Sequence, residues 1–76
     1  MNIEQIISVD PDIMSGTPVF AGTRVPVQSL IDHIIAGDSL DDFLQGFPTV
    51  THRQAQAFLD LAFHKVMGEV EYARVA

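Results

Sequence analysis

Four groups of residues in this chain have types and spacings that could do chemistry. They are Gly16 and Gly22 with Arg24, the histidines His33, His52 and His64, the paired acids Asp41–Asp42, and the polar run Thr51–Gln56. Phosphate cradling by "GTPVFAGTRV" would need Gly-x-x-x-x-Gly-Lys-Ser/Thr opening a helix, so that backbone N–H groups and a lysine converge on the phosphates. Here five residues separate the glycines, threonine stands where lysine is needed, and the next segment reads as extended. The two Gly-Thr pairs are therefore expected to form turns. Arg24 is expected to hold an aspartate in a buried or half-buried ion pair, with a phosphate contact as the alternative.

Metal ligation needs several donors converging, and Asp60 with His64 at helical spacing lacks a third. That pair reads as an ion pair along a helix. Asp41 and Asp42 suit a helix N-terminus, Asp10 and Asp12 suit a turn, and no serine is flanked as in a nucleophile elbow. No catalytic residue, metal or cofactor is expected, and the chain does not read as an enzyme. Thr51, His52, Arg53, Gln54 and Gln56 are different. They place donors, acceptors and one cation at a helix start, the part of a recognition helix that reaches base edges, where Arg and Gln bind guanine and adenine bidentately. A capped, solvated helix start would carry similar residues.

The elements that must position these groups fit in one domain, since 76 residues lie near the lower limit for independent folding. Hydrophobic residues at 47% against 18% charged exclude a disordered chain. With no cysteine, disulfides, zinc–thiolate sites and cysteine nucleophiles are excluded together. A small domain without such staples gains from a partner, and a homodimer is expected. No apolar run reaches membrane-spanning length and no signal-like segment opens the chain, so a cytoplasmic location without membrane contact is expected. The net charge of −6 opposes general attraction to nucleic acid, leaving any DNA contact to a local site.

Residues 3–9 read as a strand, "DPDIMSG" as a turn, and Pro18–Phe20 with Thr23–Val25 as hairpin arms around Ala21-Gly22. After Pro26 the apolar period becomes 3.6. Val27, Leu30, Ile31, Ile34 and Ile35 share one face of a helix that Gly37 ends. Ser39 caps a second helix with Leu40, Phe43, Leu44 and Phe47 on its apolar side. Thr51 and Gln54 form a capping box for a third. Its stripe is Ala55, Phe58, Leu59, Ala62, Phe63 and Val66, and Gly68 is expected to stop it. Core packing accounts for Phe43, Phe47, Phe58 and Phe63. The expected plan is mainly α: strands and turns over 1–26, a three-helix helix-turn-helix over 27–67, and a tail over 68–76. In that tail Val70 and Tyr72 are candidate partner contacts.

Asp10-Pro11, Gly16 with Pro18-Val19, Gly22-Thr23-Arg24, Gly37 and Phe47-Pro48 together resemble the prokaryotic family catalogued as domain of unknown function 433, across about residues 6–64. The resemblance implies a homeodomain-like or winged helix-turn-helix fold. It also implies an antitoxin of a type II toxin–antitoxin pair, which neutralises a PIN-like nuclease toxin and represses its own operon through operator DNA. The alternative is a protein-interaction module or a solitary regulator without a toxin partner.

Overall fold

The computed structural model describes residues 1–75, with side chains described through residue 71. The chain runs α1 (Ile3–Ile6), β1 (Ile7–Ser8), β2 (Val19–Phe20), α2 (Val27–Ile35), α3 (Leu40–Gly46) and α4 (His52–Val75). It is mainly helical, with one short antiparallel β-pairing near the N-terminus.

The strand expected over residues 3–9 is replaced in its first half by a helical turn. Asn2 caps it: the Gln5 N–H donates to Asn2 Oδ1 at 3.3 Å, and the Asn2 N–H donates to Gln5 Oε1 at 2.9 Å. This reciprocal box outweighs the β-preference of the isoleucines and turns Ile6 into the interior. Only Ile7 and Ser8 remain extended, paired with Phe20 and Val19 respectively.

The hairpin over residues 18–27 forms in a modified register. Phe20 N–H donates to the Val25 carbonyl at 2.9 Å and Val27 N–H to that of Pro18 at 3.1 Å. The residue bridged to Val19 is Pro26, however, and Thr23–Val25 is not a strand. At the tip, Thr23 N–H closes a turn onto the Phe20 carbonyl, with Gly22 at φ +78°. A Cβ at Gly22 would meet nothing within 4 Å, so glycine is required there by its dihedral angle and not by crowding.

Between β1 and β2 the chain makes a left-handed turn. Met14, Ser15 and Gly16 have φ of 51°, 56° and 84°. Each non-glycine there costs about 1–2 kcal/mol. Bonds on both sides hold the turn: Asp12 N–H to Asp10 Oδ1 at 2.8 Å, Gly16 N–H to the Ile13 carbonyl, and Thr17 N–H to that of Met14.

α2 ends at Gly37, φ +93°, where Gly37 N–H bonds the Ile34 carbonyl and Asp38 N–H that of His33. This is a Schellman closure, and the end of the helix at that glycine agrees with the sequence. The apolar face of α2 is only partly covered: Leu30 is fully buried, but Ile34 is exposed and Ile35 is 78% exposed. Nine residues carry the last turn of α2 past the core. Ser39 caps α3 as expected, with Asp42 N–H on Ser39 Oγ at 3.1 Å and the reverse bond at 3.2 Å.

Phe20, Leu30, Phe43, Val50 and Ala55 form the core, flanked by Val25, Val27, Leu40, Leu44, Phe47, Phe58 and Leu59. One cluster thus joins β2, α2, α3, the turn before α4, and α4. Phe20 meets Phe58 edge-on at 5.9 Å, and Phe43 stacks on Phe47 at 4.9 Å.

α4 is the largest departure from expectation. Gly68 does not stop it, and it continues to Val75. Twenty-four residues make a helix about 36 Å long, close to the 41 Å long axis of the molecule. The radius of gyration, 13.7 Å, exceeds the roughly 11 Å of a compact domain of this length. No described helix is long and apolar enough to cross a membrane.

Candidate functional site

Two regions of α4 and the hairpin tip carry the residues that could act on other molecules. At the start of α4 the expected capping box is present. Gln54 N–H donates to Thr51 Oγ1 at 3.0 Å and Thr51 N–H to Gln54 Oε1 at 3.2 Å. Thr51, His52, Arg53 and Gln56 are exposed.

Gln54 is placed otherwise. It is 8% exposed, and its Nε2 donates to the Gln5 carbonyl at 3.2 Å and to the Ala21 carbonyl at 2.8 Å. Both amide hydrogens are thereby used, so this side chain has no donor left for a base edge. It ties α4 to α1 and to the hairpin turn. The position is legible in the sequence only as a cap, because the carbonyls it meets lie 49 and 33 residues earlier.

The outer half of α4, from Asp60 onward, leaves the core. Leu61, Phe63, Val66, Met67 and Val70 are all exposed, Phe63 to 61% and Val66 to 59%. Phe63 and Val66 were expected in the packed stripe. That stripe instead stops at Leu59 and Ala62, because no element of the described chain lies against the helix beyond them. Leu59, Phe63, Val66 and Val70 recur at intervals of four, three and four residues, the a/d spacing of a helix that packs on another helix. Val70 lies on this face, whereas the Tyr72 side chain lies outside the described residues.

The ion pair expected for Arg24 does not form. Among the described residues Lys65 bridges Glu69 at 3.5 Å and the His33 ring hydrogen-bonds the Asp38 carboxylate at 2.9 Å, whereas Arg24 is exposed and in no such pair. Asp60 and His64 are likewise unbridged, and the His64 ring lies edge-on to Phe63. Arg24 instead stands on a cleft of about 570 Å³ lined also by Ser8, Ile13, Gly22, Thr23, Val25 and Thr49. Thr23 shapes this wall from inside. It is buried, its Oγ1 donates to the Phe20 carbonyl at 2.8 Å, and it accepts the Val25 N–H at 3.0 Å. In Gly22-Thr23-Arg24, then, glycine sets the turn, threonine braces both arms, and arginine projects.

The histidines are not gathered. His33 packs edge-on to Phe43 and Phe47, at 5.4 and 5.7 Å. No group of three or more potential metal ligands occurs among the described residues.

The sequence profile of the family described as "Protein of unknown function (DUF433)" matches residues 7–62. An uncharacterized protein of Sinorhizobium fredii (strain NBRC 101917 / NGR234), y4eO, is 41% identical over 46 residues, which are 60% of this chain. The match covers 21% of that relative's length. No solved structure matches significantly. The profile runs from β1 through the core, takes in the cleft and the polar start of α4, and ends where that helix leaves the body: the chain belongs to the DUF433 family.

Proposed function

We propose that this protein is a non-enzymatic, cytoplasmic antitoxin and autorepressor with a winged helix-turn-helix architecture. It works as a homodimer that binds a PIN-like nuclease toxin and contacts operator DNA through the start of α4. The observation that carries this reading is the division of α4 into an exposed polar start and an exposed apolar outer half. Thr51, His52, Arg53 and Gln56 are the DNA-contacting set, without Gln54. The a/d spacing of Leu59, Phe63, Val66 and Val70 favours a second copy of α4 as the dimer contact. A dimer also supplies the second half-site that a weakly cationic surface needs.

The test is co-expression of the tagged protein with the product of the adjacent gene, followed by operator binding. A stable complex with a small nuclease, and loss of operator binding in Arg53→Ala/Gln56→Ala with that complex intact, is the expected result. Unchanged operator binding in the double variant removes α4 from the DNA interface. A second reading, a protein-interaction module or solitary regulator without the toxin, is favoured by the net charge of −6 and the single described cation, Arg53, at the α4 start. Recovery of a dimer alone selects it.

A further inference from the structure

We infer that the cleft beside Arg24 is a seat for a phosphate group. The chain carries ten carboxylates against four Lys and Arg, yet Arg24 is bridged to none of those described. Arg53 is likewise exposed and unbridged, so what sets Arg24 apart is the cleft it stands on. Gly22 reverses the chain, and the buried Thr23 hydroxyl fixes the residues on either side, so the guanidinium leaves a rigid tip and not a mobile loop.

What it faces is also selective. The cleft is lined by Ser8, Ile13, Gly22, Thr23, Val25 and Thr49, with no carboxylate among them. The lining is largely apolar, with Ser8 and Thr49 among the hydroxyl-bearing residues beside Arg24, and a guanidinium with hydroxyls within reach is a donor set that proteins use for phosphate oxygens. Arg24 supplies the charge and the planar fork that match two such oxygens. Thr49 belongs to the turn between α3 and α4, two residues before the Thr51 cap, so the cleft adjoins the polar start of α4. A phosphate held there lies beside the surface proposed to meet bases, and phosphate contacts of this kind set register and orientation.

The inference rests on the DNA reading for the source of the phosphate, and not for its chemistry. Two measurements on the full chain separate these. The first titrates inorganic phosphate at constant ionic strength and follows backbone amide resonances, with acetate as control. Saturable shifts at Ser8, Gly22, Arg24 and Thr49, lost in Arg24→Gln, are expected. The second measures binding of duplex DNA from upstream of the gene at several salt concentrations. Arg24→Gln is expected to weaken binding equally on all sequences and to reduce the log–log salt slope by about 0.9, one phosphate's worth. Arg24→Lys keeps the full charge but loses the planar fork, so it separates charge from bidentate geometry, and the amide spectrum of each variant outside the cleft checks that it remains folded.

A fall in slope identifies the nucleic-acid backbone as the source and supports the seat, with or without a response to free phosphate. Cleft-confined phosphate shifts without that fall, or without any duplex binding, make the source a small phosphorylated compound, and absent duplex binding the DNA reading fails while the seat stands. No phosphate response at the cleft together with an unchanged or unmeasurable slope overturns the inference, whatever α4 does elsewhere.

Discussion

The inner and outer halves of α4 share one continuous helix and are held by different forces. From Thr51 to Leu59 the helix is capped, tied by Gln54 to two distant carbonyls, and packed through Ala55, Phe58 and Leu59 on the core. From Asp60 onward it has an exposed apolar face, an interior Gly68 and, among the described residues, one surface ion pair, Lys65–Glu69. Such a pair contributes a few tenths of a kcal/mol, and an interior glycine costs about 1 kcal/mol relative to alanine. A helix of about 15 residues is marginal in water without tertiary contacts. The inner half is stabilised by this fold; the outer half needs something else to lie against it.

The largest expected contrast is between two phenylalanines five residues apart. Phe58→Ala removes the edge contact with Phe20 and should lower unfolding free energy by about 3 kcal/mol, read by urea denaturation. Phe63→Ala in the monomer should change it by less than about 0.5 kcal/mol. Equal losses would mean that the outer half packs on the body. Next is Gln54→Ala, which leaves two carbonyls without this donor and removes half of the capping box. We expect a loss of about 2 kcal/mol, and a loss near zero would show that water replaces the tie.

Thr51→Ala should cost about 1 kcal/mol through the cap alone. Gly68→Ala should act in the opposite direction. Its Cβ would meet nothing within 4 Å, so up to about 1 kcal/mol of helix propensity is gained, and amide exchange should slow in the outer half only. The smallest effect on stability belongs to Val66→Glu, which should leave the monomer's denaturation midpoint unchanged while abolishing self-association in sedimentation. Persistence of a dimer in that variant would move the contact away from α4.

Much of the fold could be read from short-range signals. The boxes at Ser39 and Thr51 lie within four residues, and the end of α2 at Gly37 needs only a residue that tolerates positive φ. Over residues 3–6 the β-branched isoleucines favour a strand, but the capping box of Asn2 and Gln5, itself a local signal, outweighs them. Periodicity correctly found the apolar faces of α2 and α4, but it does not say where the core ends. Ile34, Ile35, Phe63 and Val66 continue their stripes past the last neighbour. Arg24 and Gln54 were beyond reach for a different reason. Whether an arginine finds an aspartate, or a glutamine a carbonyl 49 residues away, depends on three-dimensional proximity that spacing does not encode.

The Gln54 tie also orders events during synthesis. Its partner at Ala21 leaves the ribosome 33 residues earlier, an interval of roughly 2 to 7 s at ordinary elongation rates. For about the first two-thirds of that wait Phe20 lacks Phe43, and throughout it lacks Phe58. The nascent N-terminal third is thus a sticky intermediate whose lifetime is set by translation speed, and slowing codons between Ala21 and Gln54 should raise its loss to aggregation or its capture by chaperones.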